Sequence, residues 1–157
     1  MAGKRHFDKP FQLYHLSEEN NDGKTFEPRP LDKDRAMEGE NWKSPRICVS
    51  DSIDGAVSAL VDSMSCFSGL HLWVHVPKNL DELFKANKVY KPSTKQVPDA
   101  EATGEHWLRA PAELMAIGQI EILDIDESSR MHFSWLGDDA TIDRFHWRWI
   151  SKSSKYA

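Results

Sequence analysis

The sequence predicts an α+β fold that consists mainly of short antiparallel strands, with a few short helices. Short apolar runs bounded by polar residues, Gly or Pro recur throughout the 157 residues, whereas one segment carries a clear helical stripe. Near the C-terminus, aromatic residues alternate with polar ones on both sides of Gly137-Asp138-Asp139, which predicts an aromatic β-hairpin. The sequence contains no P-loop, Rossmann glycine pattern or internal repeat. We therefore expect a single domain over residues 11–150, between a flexible arm (1–10) and a tail (151–157).

The first half of the chain predicts two strands, a long polar segment and the main helix. Phe11 to Leu16 and Ile47 to Val49 are short apolar runs typical of strands. Residues 20–44 between them are polar and aperiodic, and so long a loop in a small domain is usually mobile or functional. Ser50-Asp51-Ser52 then offers N-cap residues for a helix over 53–64. The apolar stripe of that helix consists of Ile53, Val57, Leu60, Val61 and Met64.

The second half predicts more strands and turns than helices. Residues 70–76 form a strand that Pro77 ends, with His71, Trp73 and His75 on one face. We expect a polar or interfacial sheet face there and no metal site, because no third ligand lies at a natural spacing. The remaining elements are a short helix (79–84), a loop (89–101), an extended segment (105–108), a β-rich segment (113–125), a turn (124–129) and two hairpin arms (130–136 and 141–150).

Composition and charge exclude several classes of protein. The 25 acidic and 20 basic residues give a net charge of −5, which argues against broad nucleic-acid binding. No apolar run approaches the ~20 residues of a membrane helix, and the first thirty residues are too polar for a signal peptide. Cys48 and Cys66 are too few for a disulfide scaffold and lack metal-ligand spacing. We expect a cytoplasmic protein that is not embedded in a membrane.

Three separated segments place polar residues at the ends of predicted strands. The first contains His15 and Ser17, the second Ser50 and Ser52, and the third Glu105. The segments are Tyr14-His15-Leu16-Ser17, Arg46-Ile47-Cys48-Val49-Ser50-Asp51-Ser52 and Glu105-His106-Trp107-Leu108, with Pro111 just beyond. A sheet protein gathers side chains from distant parts of its sequence at strand ends. In this order the three segments suggest a pocket for a dinucleotide.

These segments resemble the motifs of the ADP-ribosyltransferase (ART) superfamily, whose small split β-sheet binds NAD in a central cleft. Tyr14-His15-Leu16-Ser17 is similar to the first-strand motif of the His-bearing branch. Ser50-Asp51-Ser52 before a helix is similar to the second motif, although its Ser-x-Ser is closer to the Arg-bearing branch. Glu105-His106-Trp107-Leu108 resembles the Glu motif. The resemblance covers about residues 11–125 and implies a split antiparallel sheet with NAD as the substrate.

The resemblance also implies a role for each polar residue. Glu105 is expected to stabilise the oxocarbenium-like transition state formed when the nicotinamide–ribose bond breaks, and to hold the ribose 2′-hydroxyl. His15 is expected to donate a hydrogen bond to a ribose hydroxyl. Ser17, Ser50 and Ser52 complete the NAD-binding set, with Ser50 or Ser52 on the ribose or the carboxamide. Glu101, four residues before Glu105, either shares the carboxylate role or is simply solvated.

Two departures from the family pattern concern catalysis more than fold. Leu16 stands where members of the His branch usually have Gly, and the 53–64 helix offers no Tyr to stack on nicotinamide. Without the resemblance, His15 is a structural histidine, and Ser50 and Ser52 are helix caps.

Two functions remain open. One is an enzyme that transfers ADP-ribose from NAD to a macromolecule or to water. The other is a non-catalytic accessory protein of the same fold, bacterial or from a phage, that binds a nucleotide or a protein. A relation to RNA 2′-phosphotransferases, which share the fold, is disfavoured by the acidic charge balance and by the lack of an Arg cluster.

Overall fold

The computed structural model describes residues 12–34, 36–60 and 67–153, with only the backbone of Glu127. Within these ranges the chain is a mixed α+β fold made mostly of antiparallel strands. The strands are β1 (His15–Ser17), β2 (Lys24–Phe26), β3 (Ile47–Ser50), β4 (His71–Pro77), β5 (Val89–Tyr90), β6 (Glu105–Leu108), β7 (Ala112–Trp135) and β8 (Asp138–Lys152). The helices are α1 (Ile53–Leu60), α2 (Leu80–Lys85) and α3 (Ala100–Thr103). The predicted arm, Phe11, residues 61–64 of the predicted helix and the last four residues of the predicted tail lie outside the described residues.

The strands form two antiparallel sheets. The larger has the order β1-β4-β7-β2. β8 pairs with β7 on the same side as β2, opposite β4, but farther along the strand. The smaller has the order β3-β6-β5. The sheets meet where Tyr14, just before β1, pairs with Ser50 at the end of β3 through main-chain hydrogen bonds of 2.8 and 3.0 Å. This junction brings Tyr14 and β1 next to the smaller sheet.

Apolar side chains from both sheets fill buried cores. α1 packs on the larger sheet, where Val57, Leu72 and Ile120 are fully buried in one cluster. A second cluster joins the two sheets through Leu13, Leu108 and Leu114. Burial of a side chain of this size stabilises the fold by about 1.5–3 kcal/mol. Among the described residues, no helix has the length and apolar character needed to span a bilayer.

α1 begins at the cap that the sequence provides. The Ser52 Oγ accepts a hydrogen bond from the Gly55 amide at 2.9 Å, which satisfies one of the free N–H groups of the first turn. Gly55 lets the helix approach α3 closely, because a Cβ at this position would lie 1.9 Å from the Thr103 carbonyl oxygen. The helix therefore sits directly against the chain segment that leads into Glu105.

β7 and β8 are joined by a two-residue turn and pair along most of their length. Leu136 and Gly137 both have positive φ, 52° and 86°, as a type I′ turn requires. The pairing runs from Trp135 opposite Asp138 to Gly118 opposite Lys152, well beyond the arms predicted at 130–136 and 141–150. β8 thus includes Ser151 and Lys152, which the sequence assigned to the tail.

Several sequence expectations were wrong in detail. The polar segment 20–44 contains β2, and the segment 89–101 contains β5 and the start of α3. The predicted turn at 124–129 lies within β7, which shifts its pairing register between Ile122 and Ile125 and again between Asp126 and Met131. Such irregularities interrupt the alternation of apolar residues, so that the sequence there is similar to that of a turn.

β4 also departs from simple alternation. Its register shifts between Val74 and His75, so both His75 and its neighbour Val76 are buried. The expected polar or interfacial face therefore does not extend to His75, whose side chain is fully buried. The bulge turns this histidine inward, beside His15 of β1.

Candidate functional site

Main-chain pairing places Tyr14, Ser50 and Glu105 in one row across three segments. Ser50 is opposite Tyr14 on one side and opposite Glu105 on the other. Directly opposed residues of antiparallel segments have Cα atoms about 4.5–5.5 Å apart and project to the same face. Tyr14 is at one end of this row, and His15 is the next residue along the chain. β-pairing thus brings together the three segments that the sequence singled out.

The row borders a cavity of about 490 Å³, which we call the acidic cavity. This volume lies within the range of roughly 300–1,000 Å³ that is typical of small-molecule sites. α1 contributes an apolar wall of Ala56, Ala59 and Leu60. Its polar lining includes His15, Ser50 and four carboxyl groups, Asp32, Glu40, Asp99 and Glu105. Among the described residues that line it there is no Lys or Arg, so the cavity favours cationic over anionic groups.

Glu105 is held in place by a hydrogen bond from a buried tryptophan. The Trp107 Nε1 donates to the Glu105 Oε2 at 2.7 Å, and Trp107 itself is fully buried. Burial raises the pKa of Glu105 to about 7, and the nearby Glu40 and Asp99 carboxylates add to that rise. The Trp107 N–H and the Arg46 charge oppose the rise in pKa. Glu105 therefore exchanges a proton near neutral pH, as acid–base groups in active sites commonly do.

The hydrogen bond that the His15 ring makes through Nδ1 determines its tautomer. The Nδ1 of the ring donates to the Cys48 carbonyl oxygen at 3.3 Å, which requires the proton on Nδ1. Burial lowers the pKa of His15, so the ring is neutral at physiological pH and its Nε2 carries a lone pair. The sequence expectation was that His15 donates a hydrogen bond to a ribose hydroxyl, whereas with the proton on Nδ1 its Nε2 is available as an acceptor.

The three serines of the sequence prediction have different surroundings. Ser50 is buried and lines the acidic cavity, and its Oγ donates to the Thr103 carbonyl oxygen. Ser52 caps α1, and Ser17 accepts hydrogen bonds from the Glu19 amide and the Asn21 side chain. Neither Ser17 nor Ser52 is among the lining residues of the acidic cavity. Glu101 is exposed on α3 and does not line the cavity either.

Arg46 and Glu40 form a buried ion pair next to the carboxyl groups of the acidic cavity. The Arg46 Nη2 lies 3.3 Å from the Glu40 Oε1, and the Arg46 side chain is fully buried. Its guanidinium also lies 4.1 Å from the centre of the Trp107 ring, in a cation–π arrangement. Burial raises the pKa of Glu40 despite the attraction of Arg46. Arg46 therefore links the two groups that control Glu105, the Trp107 indole and the Glu40 carboxylate.

Sequence reasoning missed most of this supporting set. Glu40 and Asp32 come from the polar segment 20–44, which gave no pattern, and Asp99 comes from a segment interpreted as a loop. Tyr14 and Trp107 belong to the singled-out segments. Their closeness in sequence to His15 and Glu105 is the only signal that could have indicated a role for them. Arg46 likewise belongs to a singled-out segment, where it immediately precedes β3.

The described residues offer neither a metal site nor a reactive thiol in this region. No group of three or more His, Cys, Asp or Glu side chains in the described part of the chain is arranged to hold a metal ion. Cys48 borders the acidic cavity, but burial, with a contribution from the Glu105 charge, raises its pKa to about 12. Its thiol is protonated at physiological pH and is not a nucleophile there.

Comparison with known proteins adds no relative. No protein-family model, no curated protein and no solved structure matches this chain. The geometry of the acidic cavity and the chemistry of its residues therefore carry the functional interpretation.

Proposed function

We propose that the protein binds NAD in the acidic cavity and cleaves the bond between nicotinamide and ribose, as an ADP-ribosyltransferase or NAD glycohydrolase of ART-like fold. The observation that carries the proposal is that His15, Ser50 and Glu105, from three distant segments, line one cavity. The acidic lining also suits NAD, because its nicotinamide ring is positively charged until the bond breaks. The substrate would thus enter with its cationic end toward the four carboxyl groups.

The chemistry follows from the position of Glu105. When the C1′–N bond breaks, its electron pair passes to the nicotinamide nitrogen, and positive charge moves to the ribose C1′ and ring oxygen. An ionised Glu105 beside the sugar stabilises that charge more than it stabilises intact NAD, which is how a group lowers the barrier. His15 Nε2 accepts a hydrogen bond from a ribose hydroxyl and so orients the sugar. Water or an acceptor side chain then donates an electron pair to C1′ to form the new bond, and its proton is released to solvent.

Tyr14 is the only Phe, Tyr or Trp among the described residues that line the acidic cavity. Within its described residues, Ile53–Leu60, α1 presents only Ala56, Ala59 and Leu60 to the cavity and supplies no stacking ring of the kind that ART-like enzymes use. Tyr14 lines the same cavity and is fixed by its main-chain pairing with Ser50. We assign to Tyr14 the aromatic contact with the ligand.

Release of nicotinamide from NAD by the purified protein, measured by chromatography, tests the proposal. Glu105→Gln keeps the side-chain shape and removes the charge, and we expect it to lower kcat by about 10²–10³-fold. Glu101→Gln, the same change on an exposed residue outside the cavity, should leave kcat within about twofold of the wild type. Equal losses in both variants, or activity unaffected by Glu105→Gln, would contradict the assignment of Glu105.

A second candidate is a protein of the same fold that binds nucleotide without cleaving it. It is favoured by the aliphatic wall of α1 and by the raised pKa of Glu105, which leaves that carboxyl partly protonated at neutral pH. Saturable NAD binding by calorimetry with no nicotinamide release, at pH 7 and at pH 8.5, would select this candidate over the enzyme. Absence of both binding and release would rule out NAD as the ligand of the acidic cavity.

A further inference from the structure

A second cavity adjoins the acidic cavity and has the opposite charge. It has a volume of about 400 Å³, and we call it the basic groove. Its charged lining consists of Lys24, Arg29 and Arg46 with a single carboxylate, Glu27. Its other polar side chains include Asn21 and Thr25. The groove therefore carries a net positive charge in a protein whose overall charge is −5.

The two exposed cations of the basic groove are not neutralised by neighbours. No carboxylate in the described part of the chain lies within salt-bridge distance of Lys24 or Arg29, although Glu27 lines the same groove. Arg46 differs, because its guanidinium is buried and paired with Glu40. The positive potential available to a ligand thus comes mainly from Lys24 and Arg29, with Arg46 behind them.

The fold fixes the backbone that carries the exposed Lys24 and Arg29 side chains. Arg29 and Arg46 pair directly through two main-chain hydrogen bonds of 3.0 Å. Opposed residues of an antiparallel bridge project to the same face, which places Arg29 over the groove. Lys24 begins β2 and pairs with Leu114 of the long strand β7. Both cations therefore stand on paired backbone, and binding an anion does not require the backbone to be ordered first.

The two cavities meet at His15. Both are lined by His15, Pro30, Leu31 and Cys48. The His15 ring also contacts the edge of Phe26, another residue of the basic groove, with ring centres 5.1 Å apart. A ligand that passes His15 therefore experiences an acidic environment on one side and a basic one on the other.

We propose that the basic groove is a phosphate-binding subsite, in which Lys24 and Arg29 hold the phosphate groups of a ligand whose other end occupies the acidic cavity. Arginine and lysine are the usual protein partners of phosphate, and the charge-assisted hydrogen bonds they form are strong. The pairing of this subsite with NAD rests on the proposed function, since a dinucleotide joins a cationic nicotinamide ribose to a pyrophosphate. The affinity of the groove for phosphate itself does not depend on that proposal.

Calorimetric titration with two probes, inorganic pyrophosphate and ADP-ribose, tests the subsite. The test variant is Lys24→Gln/Arg29→Gln. The matched control is Lys85→Gln/Lys88→Gln, which removes the same charge from two exposed residues away from both cavities. For each probe, we expect the control to bind with an affinity similar to that of the wild type. The test variant should bind each probe about tenfold or more weakly, because two charge-assisted contacts are lost.

The outcomes separate this inference from the proposed function. Binding of pyrophosphate that is lost only in the test variant supports the subsite, and it does so even if ADP-ribose does not bind and the NAD proposal fails. If NAD is cleaved, the test variant should raise KM by about tenfold while kcat stays near the wild-type value, because Lys24 and Arg29 do not touch the reacting bond. Equal weakening in the test and control variants, or no binding of either probe by the wild type, overturns the subsite.

Discussion

At the scale of single residues, the environment of Glu105 has the largest effect on the proposed chemistry, because it sets the pKa of that carboxyl group. It lies in a cavity with three other carboxyl groups, and its one described hydrogen bond comes from the Trp107 indole. Its pKa rises from 4.5 to about 7 mainly because it is buried. Proposed chemistry at the ribose requires the ionised form, so nicotinamide release should increase as the pH rises through about 7. A rate that is flat between pH 5.5 and 8.5 would contradict this role.

The same pKa predicts how stability depends on pH. Between pH 4.5 and 7 the folded state holds a proton on Glu105 that the unfolded state has released. Stability therefore falls as the pH rises through this window, since the native state binds more protons. The buried His15, His75 and His106 act in the opposite sense, because a lowered histidine pKa makes stability rise with pH toward 6.5.

Comparing the wild type with Glu105→Gln isolates the carboxyl from the histidines. The free energy of unfolding of the variant, relative to the wild type, should increase by about 2–3 kcal/mol from pH 4.5 to pH 7.5 and then stay constant. Urea titrations at several pH values measure this difference. A difference that does not change with pH would show that Glu105 titrates normally.

Tyr14 is the second residue with a testable contribution. Tyr14→Phe keeps the aromatic ring, whereas Tyr14→Leu keeps an apolar side chain without it. If the ring contacts nicotinamide, the Leu variant should weaken NAD binding by up to about tenfold and the Phe variant by less than twofold. Calorimetry with NAD measures both. Equal weakening would assign the effect to the hydroxyl or to packing.

At the scale of elements, the contact between α1 and α3 positions the site. Gly55 allows the approach, because a Cβ would lie 1.9 Å from the Thr103 carbonyl oxygen and 2.6 Å from the Ser50 Oγ. In an ordinary helix, Gly→Ala stabilises by about 0.5–1 kcal/mol. Here Gly55→Ala should instead destabilise the protein by about 1–3 kcal/mol, because the two segments must separate. Urea unfolding measures the change.

Ser58 on the same helix provides the control for Gly55. Its Oγ is buried and has no hydrogen-bond partner among the described residues. Ser58→Ala should stabilise by up to about 1 kcal/mol, since it removes an unpaired buried hydroxyl and favours the helix. Opposite signs for the two alanine variants would locate the close approach at Gly55. Stabilisation by both would show that α1 and α3 can move apart at little cost.

Elements with a strong local signal could be predicted from the sequence, and those formed by distant pairing could not. The Ser52 cap and the apolar stripe gave the start of α1, and Ile47 to Val49 gave β3. β2 could not be predicted, because its three residues show no apolar alternation and the strand forms through its pairing with β7. The inward turn of His75 depends on a bulge that no local pattern encodes. Similarly, Glu40 and Asp99 reach the acidic cavity through tertiary packing alone.

At the scale of the whole molecule, the acidic cavity depends on a loop held by the far end of the β7–β8 pair. Residues 30–34 and 36–44, which we call the wall segment, provide Asp32, Met37 and Glu40 to the lining. The Trp135 Nε1 donates to the Glu38 carbonyl oxygen at 3.0 Å, and the Asn41 amide donates to the Gln96 carbonyl oxygen at 2.6 Å. Two distant parts of the chain therefore fix the loop that closes the cavity.

Loosening one of these attachments should open the wall segment without unfolding the protein. Trp135→Phe removes the hydrogen bond to Glu38 and keeps an aromatic ring at the end of β7. An exposed hydrogen bond of this kind contributes about 1 kcal/mol, so global stability should change by no more than that. Hydrogen exchange of residues 36–41 should nevertheless accelerate by up to about fivefold, because local opening needs only the local contacts to break. Trp149→Phe on β8, where the indole packs on Trp147, is the matched control and should leave that exchange unchanged. Unaltered exchange in Trp135→Phe would mean that the Arg46–Glu40 ion pair and the Asn41 bond hold the wall segment by themselves.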